Sequence, residues 1–147
     1  MLGHLQSRVH KLGLNRQFQF LGYAPRVAQF LRNCDIFVRP SLTEGMPLTV
    51  LEAMACGLPT VASKIGGISE ILTHGETGFL IEPKDTKQLA FYVSKLTKDQ
   101  ELRLSMGRKA RSFAEKTNGW SGVALRMSQV YDSVLENLPH SRQAAAK

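Results

Sequence analysis

Short apolar runs bounded by Pro and Gly alternate with stretches of helical period along the first half of this chain, and that alternation admits few architectures. Leu2, Leu5, Val9, Leu12 and Leu14 recur at near-helical spacing around Gly13, and Gln17-Phe18-Gln19-Phe20-Leu21 then alternates with period two before Gly22. Val27, Phe30 and Leu31 predict a short helix after Pro25, and Ile36-Phe37-Val38 a compact strand that stops at Pro40. Leu48 to Cys56 reads as a buried helix closed by Gly57. Thr60-Val61-Ala62 reads as a strand, Ile68 to Leu72 as a helical stretch and Phe79-Leu80-Ile81 as another strand. Four short strands separated by helices predict an α/β domain, a parallel sheet with helices on both faces, because parallel neighbours need crossover connections. From Asp85 onward the pattern is helical only: Asp85 to Leu96, Gln100 to Glu115 and Ser121 to Leu138 are amphipathic. Trp120, Val123, Leu125, Met127, Val130, Tyr131 and Val134 are expected to pack the last of these helices into the core. The domain is expected to occupy residues 1–138, followed by a frayed tail at 139–147.

The 147 residues are 43% hydrophobic and 21% charged, the composition of a globular domain. No apolar run approaches the roughly 20 residues of a membrane-spanning helix. The first residues carry no secretory-signal pattern, so a cytoplasmic location is expected. Cys34 and Cys56 have no metal-ligand spacing and are read as reduced core thiols; no metal site is expected. The net charge of +7 is concentrated early, where Arg8, Lys11, Arg16, Arg26, Arg32 and Arg39 face the single acid Asp35. Such a field attracts phosphates or anionic lipid, which makes peripheral contact with a membrane surface one expectation and a solvated basic face the other. Nucleic acid is not expected as a partner, because no recognition motif or set of base-stacking aromatics accompanies the charge.

The segment Glu44-Gly45-Met46-Pro47-Leu48-Thr49-Val50-Leu51-Glu52 sets two carboxylates around a helix start. From Gly45 to Ser63, Glu52 is the only charged side chain, and an acid in so apolar a stretch calls for a partner or a ligand. Pro47 suits the first turn of the helix, Gly45 lets a ligand approach the backbone, and Met46 is a poor cap. The first-turn amides are then free to meet a phosphate or sugar oxygen, unless Ser41 or Thr43 caps an earlier start. On the helical wheel Leu48, Leu51 and Ala55 are taken as the core stripe, with Glu52 flanking it, where an ionised carboxylate can accept from two vicinal hydroxyls. Alone, such a pair of acids is more simply two surface side chains, Glu52 favoured by the helix dipole.

Several runs together resemble the nucleotide-sugar half of the group 1 (family 4) retaining glycosyltransferases. They are Phe20-Leu21-Gly22-Tyr23, Asp35 to Ser41, Glu44 to Pro59, Gly66 to Glu70 and Gly75 to Leu80, and the resemblance covers about residues 3 to 135. It implies a GT-B architecture of two Rossmann-like domains in which the C-terminal one, which this chain resembles, holds a nucleoside-diphosphate sugar without a metal or other cofactor. It implies that Glu44, the candidate catalytic residue, contacts hydroxyls of the donor sugar, that Glu52 holds the nucleotide ribose, and that Gly45, Met46, Pro47 and Leu48 form the wall between them. The helix start would favour the leaving diphosphate.

The family's upstream Arg and Lys, which neutralise that diphosphate, have no counterpart here; Lys11 and Arg16 do not fit the motif. The acceptor-binding N-terminal domain of GT-B enzymes is likewise expected as a missing partner. The leading expectation is the donor-binding half of a retaining glycosyltransferase; the alternative is a non-catalytic nucleotide-sugar-binding module or one subunit of a split enzyme. Gly66-Gly67 reads as a structural turn facing the same crevice, and His74 as a turn residue without a catalytic partner.

Overall fold

The computed structural model describes residues 2–136, so the 139–147 tail lies outside the described residues. Ten elements follow in order: α1 Leu2–Lys11, α2 Val27–Leu31, β1 Phe37–Arg39, α3 Leu48–Ala55, β2 Thr60–Ser63, α4 Ile68–Ile71, β3 Gly78–Ile81, α5 Thr86–Lys98, α6 Gln100–Asn118 and α7 Trp120–Glu136. The strands form one parallel sheet in the order β1-β2-β3. Val38 is registered on Val61 and Val61 on Phe79. α3 and α4 supply the two crossovers that parallel pairing demands.

The central strand shows why the sheet is covered on both faces. All four of its residues are buried, and because successive side chains alternate, Val61 and Ala62 enter different clusters. Ala62 packs with Val50, Met54, Ile68, Ile71, Leu72, Ala110 and Ala114. Val61 packs with Phe79, Ile81, Leu96 and Met106. α6 contributes to both, through Met106 on one side and Ala110 and Ala114 on the other, so it clasps the sheet. Its close approach to the turn after α3 requires Gly107, where a Cβ would collide with Gly57 O. Gly57 ends α3 in the left-handed region at φ 77°. α5 and α6 are each capped by an aspartate: Asp85 Oδ1 accepts from the amides of Lys87 and Gln88 at 3.0 and 2.9 Å, and Asp99 Oδ1 from Leu102 at 2.8 Å. His74 is structural, as its turn position suggests: Nδ1 accepts from the Leu80 amide at 3.1 Å and the ring meets Phe79 and Tyr92 edge-on.

Four expectations need correction. Gln17 to Leu21 is not a strand: the amides of Gln17 and Phe18 turn back to Leu14 O, and Phe18, Phe20 and Leu21 stand in solvent. An alternating segment becomes a strand only when another strand offers it a ladder, and none reaches this one, so the sheet has three strands. The buried face of α3 is Val50, Ala53 and Met54, whereas Leu48 is 67% exposed and Ala55 is exposed, leaving only Leu51 half-buried of the expected stripe. The wheel was misphased because α3 is apolar nearly all round. The apolar residues of α7 do not form core: no residue of that helix is buried, and Trp120 is 90% exposed. Cys34 is not a core residue: it is exposed and donates its Sγ hydrogen to Phe30 O at 3.2 Å, whereas Cys56 is partly buried against the cluster of Leu31, Ala53 and Leu58. Among the described residues no helix is long and apolar enough to cross a membrane.

The contrast between α3 and α7 is measurable. Met54→Ala should cost about 2–5 kcal/mol by leaving a cavity in the cluster around Ala62, whereas Leu125→Ala on exposed α7 should change stability by less than about 0.5 kcal/mol, both read from urea unfolding midpoints.

Candidate functional site

The loop from Pro40 to Pro47 leaves the C-terminal end of β1, the end of an open parallel sheet at which ligands collect, and delivers the chain to α3. Its shape depends on two glycines of the next crossover. Gly67 donates its amide to Gly45 O at 2.9 Å, and a Cβ on Gly67 would come within 2.5 Å of the same oxygen. Gly66, at φ 41°, meets the Glu44 carbonyl so closely that any side chain would collide with it. The turn after β2 is thus the bed on which the Glu44–Gly45 backbone lies, a structural turn as the paired glycines predict.

α3 begins as the apolar run and Pro47 predict, with one adjustment: Pro47 is the N-cap, in extended backbone at φ −79° and ψ 94°, and the first helical residue is Leu48. No side chain caps the helix. Ser41, one of the two alternative caps, is committed elsewhere, to Glu44. The Val50 amide closes on Pro47 O at 2.9 Å, and no acceptor faces the amides of Leu48 and Thr49 among the described residues. Met46 and Leu48 are more than half exposed and Gly45 is exposed, whereas Pro47 is buried beneath them, so three of the four expected wall residues are open to a ligand, with unsatisfied donors in the first turn of the helix.

Glu44 is held, not free. Its side chain is 15% exposed, and Oε1 accepts from Arg39 Nε at 2.7 Å, Arg39 Nη2 at 2.6 Å and Ser41 Oγ at 2.7 Å. The hydroxyl of Ser41, then the guanidinium of Arg39, hold the Glu44 carboxyl below its ordinary value of 4.5. All three contacts fall on one oxygen, which leaves Oε2 as an acceptor for a further donor. Sequence reasoning did not find Arg39 or Ser41. The signal was an Arg and a Ser astride Pro40, five and three residues before the acid, a pattern that carries no periodicity.

Glu52 occupies a different position. It is exposed on the outer face of α3, in an open groove of about 420 Å³ that it lines with Ala28, Arg32, Ala55, Cys56 and Arg111. The isolated acid of the apolar stretch therefore avoids desolvation by facing water beside two guanidinium groups, one of which, Arg111, pairs with Glu115 at 2.7 Å. The two carboxylates flank the first turns of α3 without sharing one cavity.

A part-buried carboxylate stands at the carboxyl end of a parallel sheet beside an uncapped helix start, and comparison with known proteins identifies the class to which such a chain belongs. The family described as glycosyl transferases group 1 matches residues 2–113, and the chain belongs to that family. The N-acetyl-alpha-D-glucosaminyl L-malate synthase of Bacillus anthracis is 35% identical over 129 residues, which cover 88% of this chain and 34% of that protein. A D-inositol 3-phosphate glycosyltransferase of Pseudarthrobacter chlorophenolicus is 36% identical over 113 residues, 77% of this chain and 27% of its own. The chain thus spans about a third or less of the length of these relatives. In structure it is similar to Anabaena HepE, solved in complex with UDP-glucose, with a TM-score of 0.83 and 27% identity over 90% of this chain and 36% of HepE. It also resembles the C-terminal domain of the group 1 glycosyl transferase LpcC from Francisella tularensis, at TM-score 0.72 and 30% identity, covering 80% of this chain and 62% of that domain. The α/β fold with its parallel sheet is therefore the Rossmann-like part of a GT-B glycosyltransferase.

The bonds to Glu44 make its contribution to stability depend on pH in one direction. A carboxyl whose folded value is depressed stabilises fully above the unfolded value and loses that contribution as pH falls through the folded one. The stability difference between the native chain and Glu44→Gln should accordingly be constant above about pH 4.5 and shrink below it, in chemical unfolding followed across acidic pH.

Proposed function

We propose that this chain is the donor-binding part of a retaining glycosyltransferase, which transfers a sugar from a nucleoside diphosphate to an acceptor held by an N-terminal GT-B domain. The observation that carries the reading is the joint geometry of Glu44 and α3. A carboxylate with one open oxygen and a helix start with unsatisfied amides stand on the same loop, exposed at the sheet's carboxyl end. The family membership and the UDP-glucose bound by HepE support it.

In this reading Glu44 Oε2 accepts a hydroxyl hydrogen of the donor sugar. The backbone of Gly45, Met46 and Leu48, exposed around a buried Pro47, lines the sugar and diphosphate, and the N-terminal dipole of α3 stabilises the charge that grows on the leaving diphosphate. Glu52, one helical turn beyond Leu48, accepts from the two ribose hydroxyls. No metal enters the proposed reaction, since the helix start takes the role of the cation, and the proposed compartment is the cytoplasm. The basic surface carried by residues 2–39 is proposed to favour anionic surroundings, including a membrane surface.

Calorimetry with UDP and UDP-glucose tests the two roles separately. Glu52→Gln should weaken both ligands by about tenfold, the worth of a charged hydrogen bond. Glu44→Gln should leave UDP binding in place and remove most of the additional affinity that glucose contributes. Equal and negligible effects of both substitutions would overturn the assignment, and mass-detected sugar transfer by the isolated chain would exclude a purely non-catalytic module.

A further inference from the structure

We propose that Arg39 is a positioning residue for the donor sugar: by clamping Oε1 of Glu44 it presents the remaining oxygen, Oε2, as a fixed acceptor for a sugar hydroxyl. The inference rests on the reading of Glu44 as the sugar-contacting acid and adds the group that makes that contact directional. Arg39 is the last residue of β1, and its backbone is fixed by parallel pairing in register with Ala62 of the buried central strand. The root of the guanidinium is therefore rigid, whereas Glu44 lies five residues on, in a loop. Nε and Nη2 reach the same carboxylate oxygen at 2.7 and 2.6 Å, and Ser41 Oγ adds a third donor at 2.7 Å. Three charge-assisted donors saturate one oxygen and fix the plane of the carboxylate, and its remaining acceptor capacity is concentrated on the other.

Two alternatives to this arrangement show what the arginine contributes. Without it, a carboxyl only 15% exposed would have the Ser41 hydroxyl as its one remaining side-chain donor, would rotate about its last torsion, and would take up a proton more readily. A protonated Glu44 offers a donor where the sugar hydroxyl needs an acceptor. A lysine at this place would keep the charge and lose the planar fork, holding the oxygen from a single mobile nitrogen. The partly exposed guanidinium, at 41%, also keeps its charge hydrated, so the pair is formed without burying an uncompensated ion.

The test combines a ligand-free and a ligand-bound measurement on the 147-residue chain. In the first, the Glu44 side-chain carboxyl is titrated by carbon NMR, its resonance identified by its loss in Glu44→Gln, in native protein, Arg39→Lys and Arg39→Gln. In the second, calorimetry with UDP and UDP-glucose is run on the same three proteins. Arg39→Gln should move the Glu44 titration upward toward 4.5, leave UDP affinity within about twofold, and reduce the extra affinity from glucose by about five- to tenfold, with Arg39→Lys between it and the native protein. Unchanged titration of Glu44 in Arg39→Gln would overturn the inference alone. Parallel losses of UDP and UDP-glucose affinity would also overturn it, since they mark a general disturbance of the loop. Native protein that binds UDP-glucose no more tightly than UDP would overturn the underlying reading of Glu44, and the inference with it.

Discussion

The backbone of Glu44 and Gly45 lies directly on the backbone of Gly66 and Gly67, and the candidate site depends on that contact. A side chain at either glycine would strike a carbonyl oxygen of the loop, so the loop would have to lift from the turn after β2. Lifting it would move three things together: the carboxylate of Glu44, the backbone from Gly45 to Leu48, and the direction in which α3 starts. Two crossovers of the sheet are thereby locked together where they leave the C-terminal ends of β1 and β2. A ligand that bridges them meets a surface whose two halves are already in place, which lowers the entropy lost on binding.

Electrostatics at this end of the sheet follow from the same arrangement. α3 has no side-chain cap, so its first turn is a region of positive potential with nothing of its own to satisfy it. An ionised carboxylate free to swing would serve as its counterion and compete with a ligand. Arg39 and Ser41 prevent this by engaging Glu44 from the strand side, which holds the acid at the rim and keeps the helix start available. Glu52, turned to the outer face among Arg32 and Arg111, is likewise not a competitor for those amides.

The parts of the fold legible in the sequence were those specified by local chemistry. Strand β1 is an apolar run ended by Pro40, β2 and β3 are apolar runs that open at Pro59 and Gly78, and α5 and α6 follow Asp85 and Asp99, whose carboxylates cap the amides after them. What failed required knowledge of a neighbour. Gln17 to Leu21 has the period of a strand, but period says nothing about whether a partner edge exists. Helix α3 carries apolar residues on almost every side, so its buried face is chosen by the sheet and α6, not by its own pattern. Glu44 was recognisable from its spacing to Glu52. Its partner Arg39 was not, because the pair joins a strand end to a loop across Pro40, and neither helical nor strand periodicity relates them.

Exposed apolar side chains are distributed unevenly, and the distribution explains how the site can be ordered in a chain with so much open surface. They gather on α1 and the segment after it, in Leu5, Leu12, Phe18 and Leu21, and on α7, in Trp120, Leu125, Val130 and Val134. The fully buried residues lie between, from Val50 to Ala110. α3, β2 and α4, which carry or support the loop, belong to that inner region, and the cluster of Val50, Met54, Ala62 and Ile68 is completely shielded from water. The order of the loop therefore rests on this inner core and not on the open faces of α1 and α7. The geometry of the candidate site follows from the packing of β2 against α3 and α4, which is complete within this inner region.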